Sequence, residues 1–266
     1  MSKSSNATVG QTRRARRAAE RKASASARGT ALSAKRRSPI LLITALVGGI
    51  GVVVLGALIL LSGQAPAADP GGLVTPASPT PASLADGRAI GVADAPVTLE
   101  VWTDFQCPVC GQFARTVEPA LMTKYVAPGT LRIVHHDAAF QGAKSQSTYD
   151  ESVEAAAGAR CAATQDGYWP YQDWVFANQN GENEGAFAAT RLASMASAAG
   201  LDVTAWRACV ATGKEQIAAR SETADAVASG VNATPTMRLN GQTMVGLKSV
   251  TELGALIEAA AAGSGG

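Results

Sequence analysis

Two cysteines separated by two residues, Cys107 and Cys110, are the side chains of this sequence that can act chemically as a pair. An apolar run at 97–102 predicts a β-strand before them, and the residues after them predict a helix. Pro108 fits the first helical position because it has no N–H to leave unpaired. The positive end of the helix favours a thiolate at Cys107. We therefore expect a reversible dithiol with an exposed, attacking Cys107 and a shielded, resolving Cys110. Half of a zinc site and an inert structural disulfide are the alternatives.

Charge divides the chain of 266 residues into two unlike parts. Residues 1–38 hold eleven of the 23 basic residues and one of the 21 acidic residues, a net charge of +10, and the remainder carries −8. The basic part lacks aromatic residues and apolar periodicity, so we expect a disordered cytoplasmic tail that contacts anionic lipid at most. Nucleic-acid binding is the alternative for such a segment, and we expect none.

A long apolar segment follows the basic tail. The 22 residues at 40–61 carry no charge, and about 20 apolar residues suffice to cross a bilayer as a helix. We therefore predict a transmembrane helix over 39–61 with residues 1–38 in the cytoplasm, because the basic cluster directly precedes it. Signal-peptide cleavage after Ala67 is the alternative, although this apolar segment is longer than a typical signal peptide core.

The rest of the chain predicts a linker and one globular domain. Residues 62–85 are rich in Pro, Ala, Gly, Ser and Thr, which indicates a semi-extended tether. Residues 86–266 are long enough for one α/β core, with a helical insertion over about 149–230. The predicted elements are, in order, a strand near 97–103, a helix over 108–126, a strand over 131–134, helices within 151–230 that break at 166–167, 180–181, 200 and 213, two strands over 236–239 and 243–245, and a helix over 250–260.

Three motifs give the exterior domain a family resemblance. Residues 94–98 lead through 103–106 into Cys107-Pro108-Val109-Cys110, residues 234–236 are Thr-Pro-Thr, and an aromatic helix start covers 168–178. On these motifs, residues 86–262 resemble the DsbA-like family of thioredoxin-fold thiol–disulfide oxidoreductases. The membrane-anchored branch of Gram-positive bacteria, especially actinobacteria, is the most similar. The resemblance implies a thioredoxin fold with a helical insertion, preceded here by one transmembrane helix.

Thr234 and Pro235 gain a role from this resemblance. In the thioredoxin fold the corresponding proline is cis and lies against the active-site disulfide, and X–Pro is the bond type in which cis costs little. The backbone of Thr234 would then pair with an extended substrate segment. Together with Pro108 and Val109, these residues are expected to support the active site and bind substrate. Without the CxxC motif, an ordinary trans proline opening an edge strand would be the simpler interpretation.

A second cysteine pair, Cys161 and Cys209, falls in the predicted insertion. The resemblance implies a structural disulfide between them, which suits an oxidising compartment. Closing a loop of 48 residues would stabilise the fold by about 4 kcal/mol in the chain-entropy model. Two buried free thiols are the alternative. We expect no metal site, because the CxxC motif has no matching second CxxC.

The chain departs from the family at a buried acidic position. Family members place a Glu or Asp six residues before the first cysteine, where this chain has Val101. Glu100 is one residue earlier and should face the opposite side of the strand unless a bulge redirects it. Pro108-Val109 also lacks the histidine of the strongest oxidants. We therefore expect a lowered pKa for Cys107, less extreme than in enteric DsbA.

Adjacent histidines, His135 and His136, end the second predicted strand. Neighbouring residues of a regular strand point to opposite faces, so the two are not expected to bind a metal together. We predict that both are solvated loop residues.

The resemblance implies an extracytoplasmic, single-pass membrane enzyme that introduces disulfides into secreted proteins. Its substrates would be the thiols of unfolded secreted proteins, and a quinone-linked membrane partner of the DsbB or vitamin-K-epoxide-reductase-like type would reoxidise it. The sulfur pair performs the chemistry, so no organic cofactor is expected. Nothing in the insertion resembles a dimerisation domain, which favours a monomer. A reductase or isomerase using the same dithiol, and a non-catalytic redox-sensing or peptide-binding module, are the alternatives.

Overall fold

The computed structural model describes residues 72–142 and 148–263, which all belong to one unit of the chain, residues 65–266. The predicted basic tail, the predicted span at 39–61 and the first part of the predicted linker lie outside the described residues. The domain boundaries therefore stay predictions. No helix within residues 72–142 and 148–263 is both long enough and apolar enough to cross a bilayer.

A mixed sheet organises the described residues. Its strands, in the order β1-β2-β4-β3-β5-β6 across the sheet, are β1 (Ala85–Asp86), β2 (Ala89–Ile90), β3 (Val97–Thr103), β4 (Leu131–Asp137), β5 (Thr236–Leu239) and β6 (Gln242–Val245). β3 and β4 are parallel, and the other neighbouring strands are antiparallel. The thioredoxin-like α/β fold with a helical insertion is confirmed. The sequence missed β1 and β2, because two-residue strands carry no detectable periodicity.

Helices cover the two faces of this sheet. They are α1 (residues 108–126), α2 (Glu151–Ala163), α3 (Tyr168–Ala177), α4 (Ala189–Ala198), α5 (Val203–Ala211), α6 (Lys214–Ala228) and α7 (Val250–Gly263). Side chains of β3 alternate in direction, so Leu99 and Val101 enter the main core with the buried side of α1 and α7. Trp102 enters a smaller cluster with Ala226 of α6 on the opposite face.

The active-site helix α1 is continuous past Pro119 but is not a regular α-helix. Its segments Phe113–Val117 and Met122–Val126 are π-helical, and they flank an α-helical turn at Glu118–Leu121. Proline lacks an N–H and its ring clashes with the carbonyl four residues earlier in a regular helix. A wider turn before Pro119 relieves that clash. The helix therefore accommodates Pro119 with two π turns.

The insertion consists of short helices that break at the predicted glycine and asparagine positions. Asp150 caps α2 by accepting a hydrogen bond from the Val153 N–H at 3.1 Å. Asp202 caps α5 in the same way, because its side chain accepts from two backbone N–H groups. Gly213 has a φ of +71° just before α6, a conformation that glycine adopts without strain. The predicted helix boundaries in this region match the structure closely.

The described part of the predicted linker differs from a free tether. Val74 and Asn178 exchange hydrogen bonds of 2.8 and 2.9 Å, and Thr80 donates two to Asp173 at 2.7 and 3.0 Å. Leu73 packs against the main core. Polar side chains within α3 and at its C-cap thus satisfy backbone groups that the proline-rich segment cannot pair internally.

Candidate active site

Cys107 caps the start of α1. Its φ of −68° and ψ of 119° are extended, and its carbonyl accepts the Gly111 N–H at 3.1 Å. Pro108 follows at the first helical position, as the sequence predicts. Cys107 and Cys110 are both free thiols in this structure, which therefore represents the reduced form.

Both cysteines of the dithiol are buried. Cys107 is 4% exposed and Cys110 is 1% exposed, whereas Val109 between them is 37% exposed. The expectation of an exposed attacking sulfur is therefore wrong for the reduced form. The cause is the chain before β5, since the Cys107 Sγ lies 3.4 Å from the carbonyl oxygen of Thr234.

The two thiols have very different acidities. A hydrogen bond from the Cys110 thiol, with further ones from the Thr234 side chain and the N–H groups at the helix start, outweighs burial and lowers the pKa of Cys107 to about 5. Burial raises the pKa of Cys110 well above its ordinary value, and the neighbouring Cys107 thiolate adds to this effect. At neutral pH the reduced pair thus carries one negative charge, located on Cys107.

Thr234 and Pro235 meet the dithiol from the other end of the chain. Their peptide bond is cis, and the Pro235 carbonyl accepts the Gly246 N–H at 2.8 Å, so the turn after β6 holds this loop in place. Thr236 then pairs with Val245, which is 59% exposed. Exposed apolar side chains therefore occur at Val109, between the two cysteines, and at Val245, the strand partner of Thr236.

The insertion holds the backbone around Cys107 through a glutamine that the sequence did not single out. The side-chain amide of Gln179 donates to the carbonyl oxygens of Phe105 at 2.6 Å and Cys107 at 3.0 Å. Its own oxygen accepts from Arg115 at 3.2 Å. Gly111 makes room for this contact, because a Cβ at that position would lie 2.0 Å from the Gln179 oxygen. Gly111, one residue after Cys110, is the only sequence signal for the contact.

A second contact with the insertion is made by a buried acid, Asp104, which the sequence placed in a motif without a role. Its carboxylate accepts hydrogen bonds from the Gln106 N–H, the Gln141 N–H and the Ser152 hydroxyl, each at 2.8 Å. Burial raises the pKa of Asp104 to about 6, against the effect of these hydrogen bonds, and the Cys107 thiolate raises it further. The sequence signal for this role is an acidic residue directly after the apolar strand β3.

The position six residues before Cys107, where family members carry a buried acid, holds an uncharged residue in this chain. Val101 is fully buried there, and Glu100 lies on the opposite face of the sheet, where His136 is 3.3 Å away. A buried histidine of β4 and a buried acid of α1 lie beside this position instead. His135 is the β4 partner of Val101, and its Nε2 lies 2.6 Å from the Glu118 carboxylate of α1.

The histidine prediction is wrong. His135 and His136 belong to β4 and not to a loop. His135 is 1% exposed and packs against Trp169. His136 stacks on Trp102 with ring centroids 4.7 Å apart and contacts Glu222 of α6 at 3.0 Å. Strand β4 extends further than its apolar residues indicate, because the buried Glu118 of α1 and the partly buried Glu222 of α6 pair with its polar end.

The remaining two cysteines, Cys161 of α2 and Cys209 of α5, form a disulfide in this structure. It is the pair for which the family resemblance implies a bridge. It joins two helices of the insertion that also pack through Trp206, whose indole N–H donates to the Gly158 carbonyl at 2.8 Å. Within the described residues, no three His, Cys, Asp or Glu side chains are grouped as a metal site.

Comparison with known proteins agrees with this geometry. Residues 83–259 match the family model described as Thioredoxin. The chain is 31% identical over 98 residues to the probable disulfide bond formation protein D of Bacillus cereus, covering 36% of this chain and 43% of that protein. The chain thus matches less than half the length of the curated relatives named for disulfide formation.

Two solved structures have the same fold. Oxidised BdbD from Bacillus subtilis superposes with a TM-score of 0.58 at 19% identity, covering 72% of this chain and all of that one. Oxidised Mtb DsbA superposes with a TM-score of 0.55 at 26% identity, covering 67% of this chain and all of that one. The chain therefore belongs to the thioredoxin family, and it shares its fold with these two structures.

Proposed function

We propose that this protein is a membrane-anchored, extracytoplasmic thiol oxidase that introduces disulfides into secreted proteins through Cys107 and Cys110. The observation that carries the proposal is the position of the reduced dithiol: Cys107 caps the start of α1 and its Sγ lies 3.4 Å from the Thr234 carbonyl oxygen. The pKa of Cys107 is lowered to about 5 there, and that of Cys110 is raised. A stabilised thiolate favours the reduced enzyme over its disulfide. The disulfide form is correspondingly a good oxidant, which supports the oxidising direction over a reductase or isomerase.

The proposed reaction uses only the two sulfurs. A substrate thiolate attacks Cys107 Sγ in the enzyme disulfide, and the bond to Cys110 breaks with Cys110 leaving as a thiolate. Cys110 takes up a proton, because burial disfavours its charged form. A second substrate thiolate then attacks the substrate sulfur of the mixed disulfide, which releases the Cys107 thiolate and the oxidised substrate. Two electrons pass from substrate to enzyme, and no organic cofactor is needed.

Substrate recognition is proposed at the loop that contains Thr234 and Pro235. The Thr234 carbonyl lies 3.4 Å from Cys107 Sγ, so a substrate segment that pairs with this backbone would bring its sulfur to the dithiol. The exposed side chains of Val109 and Val245 would contact apolar residues of an unfolded substrate. A folded substrate would not present such a segment.

Location and reoxidation are proposed from the sequence. The uncharged segment 40–61 after a basic tail supports a single span with the catalytic domain outside. A membrane partner of the DsbB or vitamin-K-epoxide-reductase-like type, linked to quinone, would reoxidise the dithiol and return it to the oxidising state.

The direction is tested with the full chain in detergent, equilibrated in glutathione buffers. We expect the dithiol to be reduced by buffers in which thioredoxin stays oxidised, and the oxidised chain to form disulfides in a reduced, unfolded secreted protein. A potential near that of thioredoxin would contradict the oxidase and favour a reductase. Failure to react with any thiol would favour a non-catalytic module.

Two variants assign the roles of the cysteines. Cys107→Ser should abolish exchange, because it removes the attacked sulfur. Cys110→Ser should leave mixed disulfides between Cys107 and substrate, visible by mass spectrometry and lost on reduction. Exchange that survives Cys107→Ser, or the absence of trapped adducts with Cys110→Ser, would refute the assigned roles.

A further inference from the structure

Asp104 is a buried acid beside the dithiol that the proposed reaction does not use. It is 1% exposed and sits at the junction between β3 and α1. Its backbone carbonyl accepts the Cys107 N–H at 3.0 Å, and its backbone N–H contributes a hydrogen bond to Cys110. The residue therefore contacts both cysteines through its main chain, and its side chain belongs to the same turn.

Three donors converge on the Asp104 carboxylate from separate parts of the chain. They are the backbone N–H of Gln106 next to Cys107, the backbone N–H of Gln141 after β4, and the hydroxyl of Ser152 in the first turn of α2. Ser152 also accepts from the Gln106 side chain at 2.8 Å. This arrangement consists of hydrogen-bond donors only, so it suits an ionised carboxylate.

Among the charged groups near Asp104, the Cys107 thiolate is the one whose charge acts on the Asp104 carboxylate. The Cys107 thiolate acts on Asp104 as a like charge. From α2, Asp150 and Glu151 adjoin Ser152, but Asp150 pairs with Arg220 of α6 at 3.1 Å. Glu151 accepts two backbone N–H groups of the insertion, at 2.8 and 2.7 Å.

We propose that Asp104 is a positioning residue for Cys107: its carboxylate holds the turn ahead of the cysteine, and its negative charge opposes the thiolate. This inference rests on the proposed thiol–disulfide function. The Asp104 charge destabilises the Cys107 thiolate and so makes the disulfide form a weaker oxidant. In the oxidised enzyme the carboxylate has no neighbouring thiolate. Reduction places a second negative charge beside it, and like charges in a buried site favour protonation of one of the two.

Proton balance follows from that repulsion. A substrate dithiol that becomes a disulfide gives up two electrons and two protons. The electrons cleave the Cys107–Cys110 bond, and one proton stays on Cys110. The other proton is released to water when Asp104 stays ionised, and it is taken up by Asp104 when the thiolate drives its protonation. The number of protons bound on reduction should therefore rise from one toward two as the pH falls through about 6.

The decisive experiment is the glutathione equilibrium of the full chain in detergent, measured over a range of pH with the Cys161–Cys209 bridge intact. Asp104→Asn should shift this equilibrium toward the reduced enzyme about three- to tenfold at neutral pH, because it removes the charge that opposes the Cys107 thiolate. The shift should shrink below about pH 6, because Asp104 is then protonated in the natural chain. For the same reason the midpoint of the Cys107 titration, at about pH 5, should change little.

Two matched variants separate charge from scaffolding. Ser152→Ala removes a hydrogen bond to Asp104 but no charge, and Asp150→Asn removes a nearby carboxylate that caps α2. Both should lower stability and shift the glutathione equilibrium less than twofold. If Asp104→Asn also lowers stability without moving the glutathione equilibrium or its pH profile, Asp104 is a scaffold residue only and the inference is wrong.

A measurement on the unaltered chain covers the case in which Asp104→Asn fails to fold. The infrared difference spectrum of reduced minus oxidised protein near pH 6 should show a protonated carboxyl group appearing on reduction. Its absence would overturn the inference. The proposed function fails separately, if the oxidised chain does not oxidise glutathione, and that failure would leave the infrared result unaffected.

Discussion

Replacing Gly111 by alanine would place a methyl group where the side chain of Gln179 lies. The added Cβ would be 2.0 Å from the Gln179 oxygen, 2.8 Å from its Cδ and 2.7 Å from an Arg115 nitrogen. These atoms are the ends of flexible side chains, so they would move while α1 stays in place. Gln179 would then lose its hydrogen bonds to the carbonyl oxygens of Phe105 and Cys107.

The expected cost follows from those two hydrogen bonds. Each partly buried hydrogen bond to a backbone carbonyl contributes about 1 kcal/mol to stability, so their loss should cost about 2 kcal/mol. Alanine is the better helix former by about 1 kcal/mol, which offsets part of this cost. Gly111→Ala should therefore lower the free energy of unfolding by about 1 kcal/mol. It should also slow disulfide exchange, since the Cys107 backbone loses a support.

A double-mutant cycle with Gln179→Ala isolates the cause. Removing Gln179 alone should cost about 2 kcal/mol. In that background Gly111→Ala meets no amide, so it should become neutral or stabilising by up to about 1 kcal/mol. Urea unfolding of the four proteins measures the cycle. If Gly111→Ala is equally destabilising with and without Gln179, steric displacement of that side chain is not the reason and the argument is refuted.

Alkylation of reduced Cys107 should follow thiolate formation, with a rate midpoint at about pH 5; a midpoint above about pH 8 would contradict the hydrogen bonds assigned to its sulfur. Replacing Cys161 and Cys209 together by alanine opens a loop of 48 residues and should cost about 4 kcal/mol in urea unfolding, while exchange at the active site persists. Glu222→Gln should cost about 2 kcal/mol at neutral pH, because Arg88 and Arg160, which are both partly buried, lose their carboxylate. Hydrogen bonds and arginine charges outweigh burial and hold the pKa of Glu222 well below 4.5, so its stabilisation is present above that pH and lost below it; a difference that does not shrink in acid would contradict the assignment.

The parts of the fold that the sequence predicted are those with local causes. The helices of the insertion end at glycines or begin at capping aspartates such as Asp150 and Asp202, which are signals within one turn of the boundary. Asn240-Gly241, between the two predicted strands over 236–239 and 243–245, is likewise a local turn signal, and both residues have positive φ. The CxxC motif was likewise read from neighbouring residues and from the family resemblance.

The parts that the sequence missed depend on partners distant along the chain. His135 is polar, yet it is buried because Glu118 pairs with it from α1 at 2.6 Å. Glu222 does the same for His136 from 86 residues away. Local polarity therefore predicted solvent exposure at both positions, and the compensating acids carried no pattern that would assign them to β4.

The insertion forms part of the active site as well as a cover over it. Gln179 holds the Cys107 and Phe105 carbonyl oxygens, Ser152 holds Asp104, and Asn183 bonds to Gln106 in both directions, with its N–H at 2.5 Å and its side-chain oxygen at 3.3 Å. These contacts fix the turn between β3 and α1, whose own short loop has few internal hydrogen bonds. Since the N–H groups at the start of α1 stabilise the thiolate only when the turn is held, removal of the Gln179 amide should alter Cys107 acidity without touching its sulfur.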